Sequence, residues 1–259
     1  MGKKIVTKIE LLTFLKEYLK PELFDDYCPN GLQVEGINDI QKIVFAVSAT
    51  KETVAYAASV KAHALIVHHG LFWKFHGTKT ITDAFYHRIA PLIKNDINLI
   101  GYHLPLDAHL EVGNAKSLAL KLNLQNVVGF GNYKGVMTGV QGEFHPPIQP
   151  LELKSKLEQV LNHQVLYSNP EIKTEIKSIG IITGGANSEW REAAKKNLDA
   201  YLTGEMSEHD YHESRESNIH MFAGGHHATE KFGIQLLMKK IQETFPAIDC
   251  EFKDSENPA

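Results

Sequence analysis

Cysteine is scarce: the 259 residues hold two, Cys28 and Cys250, at no metal-knuckle spacing. That argues against a disulfide framework or a cysteine zinc site, and it fits a reducing, cytoplasmic setting. Basic charge is not in excess either, with 27 Lys and Arg against 31 Asp and Glu, so the balance gives no reason to expect nucleic acid as a partner. No apolar run approaches the roughly 18–20 residues of a membrane span, which sets membranes aside. The opening MGKKIVTKIELL lacks both an uninterrupted apolar stretch and a small-residue cleavage site, so no secretory leader is expected. A G-x-S-x-G elbow and a complete dinucleotide fingerprint are missing too.

What the chain has in unusual number is histidine, 14 residues. Several of them fall just past apolar runs. Those runs alternate with helical patterns. Residues 7–19 predict an amphipathic helix, with Thr7 and Glu10 as a capping box. Apolar runs at 43–47, 64–67 and 97–102 predict strands, with helices at 51–61, 83–94 and 114–122. Residues 127–178 change character. Glycines dot 129–142, a strand is expected over 139–144, a helix over 151–162, a short strand over 165–168 and a polar loop over 169–177. The strand–helix rhythm then returns, with strands at 179–183, 200–203 and 219–223 and helices at 188–196 and 230–243.

An internal duplication is visible in this order. In each half a third strand leads to a histidine followed four residues later by a carboxylate, His103/Asp107 and His226/Glu230. The expected fold class is α/β: two similar α/β domains from an internal duplication, with mixed, largely parallel sheets and a metal site in the cleft between them. The first repeat is expected over residues 1–125, completed by the C-terminal segment 226–259, and the second over 126–225.

In open α/β sheets, ligands gather beyond the carboxyl ends of strands. His68, His69, His103, Asp107, His226 and Glu230 all stand there. Imidazole nitrogen and carboxylate oxygen suit first-row divalent metals. Four histidines and two carboxylates exceed one tetrahedral site and suit two metals, which could share a bridging hydroxide. Any one of these histidines could instead be a hydrogen-bonded turn residue, and each carboxylate could serve a helix dipole. His227 could replace His226, but only His226 repeats the spacing of His103 to Asp107. Gly184-Gly185-Ala186 reads as a tight turn. Glu205 and His209 follow a strand at the place equivalent to His68-His69-Gly70 and are candidates for general acid or base, against a reading as solvated loop. Trp73 and Phe75 line a pocket or simply pack.

The segments YCPNGLQVEG (27–36), ALIVHHGLFWK (64–74), DINLIGYHLPLDAH (96–109), TGGA (183–186), AYLTGE (200–205) and GGHHATE (224–230) together resemble the Nif-three-like dinuclear-metal family. Its members are often called GTP cyclohydrolase I type 2 homologues, and the likeness is to the short bacterial YbgI-type branch, over about residues 5–245. The resemblance implies two similar α/β domains, a dinuclear site on His68, His69, His103, Asp107, His226 and Glu230, and a homo-oligomer in the form of a hexameric ring. The inserted domain of longer relatives is absent.

The expectation is a cytoplasmic, metal-dependent hydrolase carrying two divalent ions per chain, with zinc, manganese, iron, nickel and cobalt all admissible. Its substrate would be a nucleotide or another phosphate-bearing small molecule, with GTP cyclohydrolase-like ring opening as a candidate. The alternative is a non-catalytic metal-binding or metallocofactor-handling protein, and a third reading is a scaffold whose metals only clamp its domains.

Overall fold

The computed structural model describes residues 5–171 and 175–259. The chain divides into two compact units: residues 1–106 with 233–256, and residues 107–232 with 257–259.

The first unit is built on a five-stranded sheet in the order β13-β4-β5-β6-β2. These strands are β2 (Gly31–Val34), β4 (Lys42–Ser48), β5 (Ala64–His69), β6 (Asn98–Gly101) and β13 (Asp249–Phe252). The pairs β13/β4, β4/β5 and β5/β6 are parallel, and β2 closes the far edge antiparallel to β6. Ile43 to Val47 are all buried, which is why this strand is written as an unbroken apolar run: a parallel strand covered on both faces has no solvent side to mark with polar residues. Helices α2 (Lys51–Ser59) and α3 (Asp83–Lys94) supply the crossovers. Val54, Ala57, Ile89 and Leu92 join Val44, Leu65, Val67 and Leu99 in one core. The first helix, α1 (Lys8–Leu19), starts on the expected box. The Glu10 N–H donates to Thr7 Oγ1 at 3.3 Å, and the Thr7 N–H donates to Glu10 Oε2 at 2.8 Å. Ahead of it β1 (Val6–Thr7) pairs with β3 (Asp39–Ile40).

The second unit carries a six-stranded sheet in the order β7-β8-β10-β11-β12-β9. Its strands are β7 (Gln125–Tyr133), β8 (Val136–Ile148), β9 (Leu166–Ser168), β10 (Ile176–Ile181), β11 (Ala200–Thr203) and β12 (His220–Ala223). The run β10-β11-β12 is parallel, with α7 (Trp190–Lys195) and α8 (Glu208–Glu216) between its strands. It repeats the β4-β5-β6 run of the first unit, so the duplication seen in the sequence is one of architecture. The fold is α/β with mixed, largely parallel sheets. The remaining helices are α4 (Leu104–Asp107), α5 (Asn114–Lys121), α6 (Pro150–Leu161) and α9 (His226–Thr244). Among the described residues no helix is long and apolar enough to cross a membrane.

Several elements differ from the sequence reading, among them α8, a helix over Glu208–Glu216 where a solvated loop is the simple expectation. Residues 125–133 form a strand where glycines masked the pattern, and β8 runs well beyond the expected 139–144. The glycines are there because the strands approach closely: a Cβ on Gly139 would lie 2.1 Å from the Ile181 carbonyl oxygen. The final helix starts at His226, not at 230, so His226 and Glu230 share its first turns at i,i+4 spacing. The edge strand β13 went unread. Of the polar stretch 169–177, residues 172–174 lie outside the described residues, and Ile176 already belongs to β10.

Two histidines away from the metal candidates are pushed toward the neutral form. His63 Nδ1 accepts the backbone N–H groups of Gln41 at 2.9 Å and Lys42 at 3.2 Å, and burial pushes its pKa below the ordinary 6.5. His220 is buried beside the Tyr167 hydroxyl, 2.7 Å from its Nδ1, and burial pushes its pKa down as well. With the folded pKa below the unfolded one, the full stability is present above about pH 6.5 and is lost as the pH falls toward the folded value, because the unfolded chain binds the proton first. Between about pH 6.5 and pH 5 the melting temperature is therefore expected to fall less in a His63→Gln/His220→Gln variant than in the wild type. Thermal scans by circular dichroism across that range check it, and an unchanged slope in the variant would contradict it.

Candidate metal centre

In the first unit, β5 ends on His68 and His69, and His103 follows β6 by two residues. One ring nitrogen from each of the three lies within 4.8 Å of the others. The ring centroids stand 4.5 Å apart for His68/His69, 5.1 Å for His68/His103 and 5.7 Å for His69/His103. Each ring is anchored through Nδ1. His68 is fully buried and donates to the Tyr102 carbonyl oxygen at 3.0 Å. His69 Nδ1 lies 3.1 Å from Ser48 Oγ, and His103 Nδ1 donates to Asp26 Oδ1 at 2.8 Å. A carbonyl or carboxylate on Nδ1 fixes the tautomer that carries its lone pair on Nε2, the arrangement that orients a metal-ligating imidazole and raises its basicity.

Asp26 was not anticipated from sequence, and neither was Asn30. Asp26 is buried and also accepts the N–H of Leu104 at 3.0 Å and the Asn30 Nδ2 at 2.9 Å on Oδ2. Burial works against its charge, but the His103 hydrogen bond and charge, with Asn30 and Leu104, hold its carboxyl below the ordinary carboxylate value. Asn30 Oδ1 in turn accepts the His103 N–H at 2.9 Å. The loop DDYCPNG therefore clamps His103 from both its ring and its backbone. The clue available in the sequence was only Pro29-Asn30-Gly31, which reads as a turn.

In the second unit, Asp107 and Glu230 are both buried, and an oxygen of one lies within 4.8 Å of an oxygen of the other. Asp107 Oδ1 accepts from Asn114 Nδ2 at 2.9 Å and Thr183 Oγ1 at 3.3 Å. His226 Nε2 stands 3.3 Å from Glu230 Oε2, and its Nδ1 is 2.5 Å from Glu205 Oε1. Burial alone would lower the His226 pKa, but the hydrogen bonds and charges of Glu230 and Glu205 lift it to about 10. His226 is anchored through Nδ1 like the three histidines of the first unit. Two buried carboxylates this close repel each other, and a cation offsets that. The donor set and its anchoring fit divalent metal in both units.

Gly184 proves to be more than a turn. It has φ +68, and a Cβ there would lie 2.2 Å from Glu230 Oε1 and 3.1 Å from His226 Nε2. Gly184→Ala is expected to push the Glu230 carboxylate aside and weaken metal affinity about tenfold or more. Gly185→Ala is the control, since a Cβ there meets His226 Cε1 at an ordinary 3.5 Å. Metal titration of both variants checks this, and equal affinities would refute the close-approach argument.

Of the remaining candidates, Glu205 sits against His226 with its carboxylate half exposed. His209 lies on the exposed side of α8, its Nε2 3.5 Å from Asp210 Oδ1. His227 is buried and donates its backbone N–H to the Ala259 carbonyl oxygen at 3.1 Å. Among the described residues it joins no cluster of metal-type donors.

This chain is 41% identical to a GTP cyclohydrolase 1 type 2 homolog of Haemophilus influenzae over 255 residues, 98% of this chain and 100% of that protein. Its fold matches the solved structure of protein ybgI, described there as of unknown function, with a TM-score of 0.91 and 39% identity over 98% of this chain and 100% of that one. It also matches TTHA1606 from Thermus thermophilus, with a TM-score of 0.88 and 30% identity over 98% of this chain and 100% of that one. Residues 6–258 match the model of the family described as Duf34/NIF3 (NGG1p interacting factor 3), and the chain belongs to that family.

Proposed function

We propose that His68, His69, His103, Asp107, His226 and Glu230 ligate two divalent metal ions, and that the chain uses them to hydrolyse a nucleotide or another phosphate-bearing small molecule. The observation that carries the reading is the common anchoring of four histidines through Nδ1, by Tyr102, Ser48, Asp26 and Glu205. Such anchoring is what a ligating imidazole needs, and here it accompanies the convergence of ring nitrogens of His68, His69 and His103 to within 4.8 Å of one another. Two bound ions would polarise a substrate oxygen and acidify a water to a pKa near 7. The chain's own residues set the stage. Asp26 and Asn30 fix the His103 ring, and Glu205 fixes His226 and, from its half-exposed carboxylate, takes or returns a proton. His209 is the other candidate for proton transfer. The name carried by the relatives makes GTP ring opening one reaction to test. A hexameric homo-oligomer belongs to the same proposal, resting on the family resemblance.

The test is a hydrolysis screen of nucleotides, GTP among them, and simple phosphoesters with metal-reconstituted protein. Turnover is expected to depend on metal. At saturating metal, Glu205→Gln, whose amide oxygen can still accept from His226, or His209→Ala is expected to lower kcat by up to the roughly 10²–10⁴-fold that general acid–base catalysis supplies. Turnover at the same rate in metal-free protein would overturn the hydrolase reading for that substrate. Absence of turnover across the screen would favour a metal-binding or metallocofactor-handling role.

A further inference from the structure

The three histidines of the first unit are walled by aromatic rings that the metal reading does not use. The Trp73 indole stands edge-on to His103, with centroids 5.1 Å apart and planes at 85°, and lies 5.8 Å from His69. Its Nε1 donates to the Gly70 carbonyl oxygen at 3.2 Å, and the neighbouring Lys74 N–H donates to the Tyr27 carbonyl oxygen at 2.7 Å, so the indole is pinned. Phe75 stacks on Trp73 at 5.5 Å and 29°, yet it is 68% exposed. A core pair buries both rings. Here one flat apolar face is left to water beside the histidines.

Past Phe75 the surface changes sign. The Phe75 ring stands 4.6 Å from His76, and His76 opens a cleft of about 540 Å³ with Thr78, Lys79, Thr80, Asp83 and Arg88 on its walls. Two permanent cations there face one carboxylate, and the hydroxyls add donors. An aromatic shelf running into a cationic, hydroxyl-lined cleft matches a ligand that is flat and apolar at one end and anionic at the other.

We propose that Trp73 and Phe75 form a stacking wall for the purine ring of a nucleotide, whose phosphate lies in the cleft at Lys79 and Arg88. The proposal rests on the metal-centre reading for what lies at the other edge of the ring, and it names the substrate class of that site. Stacking on aromatic side chains is sequence-tolerant and substantial per base. The face-on geometry suits any purine, so the selection lies between a nucleotide and a phosphorylated sugar without a ring system.

The chain has two tryptophans, and the second, Trp190, is buried in the other unit with its Nε1 bonded to Asp210 at 2.9 Å. Tryptophan fluorescence of the metal-reconstituted full chain therefore reports on Trp73 without any turnover, and success or failure here is independent of whether hydrolysis is found. Guanosine 5′-monophosphate is expected to quench the wild type and to leave Trp73→Phe unquenched. Ribose 5-phosphate is expected to quench neither. Phe75→Ala, at an exposed position that the fold does not need, is expected to weaken guanosine monophosphate binding about tenfold. Lys79→Ala/Arg88→Ala is expected to weaken guanosine monophosphate binding and leave guanosine binding unchanged. Quenching that persists in Trp73→Phe, equal quenching by ribose 5-phosphate, or wild-type affinity in Phe75→Ala would overturn the stacking wall. Wild-type affinity for guanosine monophosphate in Lys79→Ala/Arg88→Ala would overturn the phosphate cleft.

Discussion

Glu230→Ala is expected to leave the chain folded and to strip it of bound metal, weakening affinity beyond the roughly 10–100-fold that loss of an outer partner costs. Glu230 lies buried within 4.8 Å of Asp107 and 3.3 Å from His226, so its removal takes away a proposed ligand and one of the two buried carboxylates that would draw cations into the second unit. Asp26→Ala gives the graded contrast. Asp26 holds the His103 ring and is not itself among the proposed ligands, so its loss should cost only the outer-partner amount, about 10–100-fold. Isothermal titration with a single divalent metal separates the two. Equal losses, or a Glu230→Ala variant that binds as the wild type does, would remove Glu230 from the ligand set.

The second large effect is on stability. A metal that binds only the folded chain stabilises it by about 4 kcal/mol when present at about 1,000 times its dissociation constant. At about 2–4 °C per kcal/mol for a chain of this size, chelation is expected to lower the melting temperature by roughly 10 °C. Secondary structure should survive, because neither core depends on the metal. Leu65, Val67, Leu92 and Leu99 close one unit, and Leu153, Leu157, Ile179, Leu202 and Phe222 close the other, all of them fully buried. Thermal scans with and without chelator, read by far-ultraviolet circular dichroism, check both halves of the expectation. A random-coil spectrum after chelation would show that the cores had been overvalued.

The parallel strands β4, β5 and β6 were legible because a strand buried on both faces must be apolar at every position, and Val44 to Val47 obey that without exception. The histidines were legible for the opposite reason. His68 and His69 follow four apolar residues abruptly, and a polar doublet at a strand end must find partners. Elements shaped by their neighbours were not legible. In β7 and β8 the glycines that permit close strand approach erase the alternating pattern that a solvent-facing sheet would show. Strand β13 is a half-buried edge, Asp249-Cys250-Glu251-Phe252, in which nothing is periodic enough to stand out.

Around the metal candidates, the part that sequence conceals is support. Asp26, Asn30 and Tyr102 reach the histidines from 73 to 77 residues away, or through a backbone carbonyl that has no residue signature. Gly184 matters for the Cβ it lacks, which only the position of the Glu230 carboxylate reveals. His209 had the same spacing argument as Glu205, yet α8 turns it toward Asp210 and solvent while Glu205 meets His226.

The proposed pair of divalent ions can be counted. The measurement is elemental analysis of protein purified without chelator and without an affinity metal, and then reconstituted with each of several divalent metals in turn. Two ions are expected for each 29.0 kDa chain. One ion or none with every metal tried would contradict it.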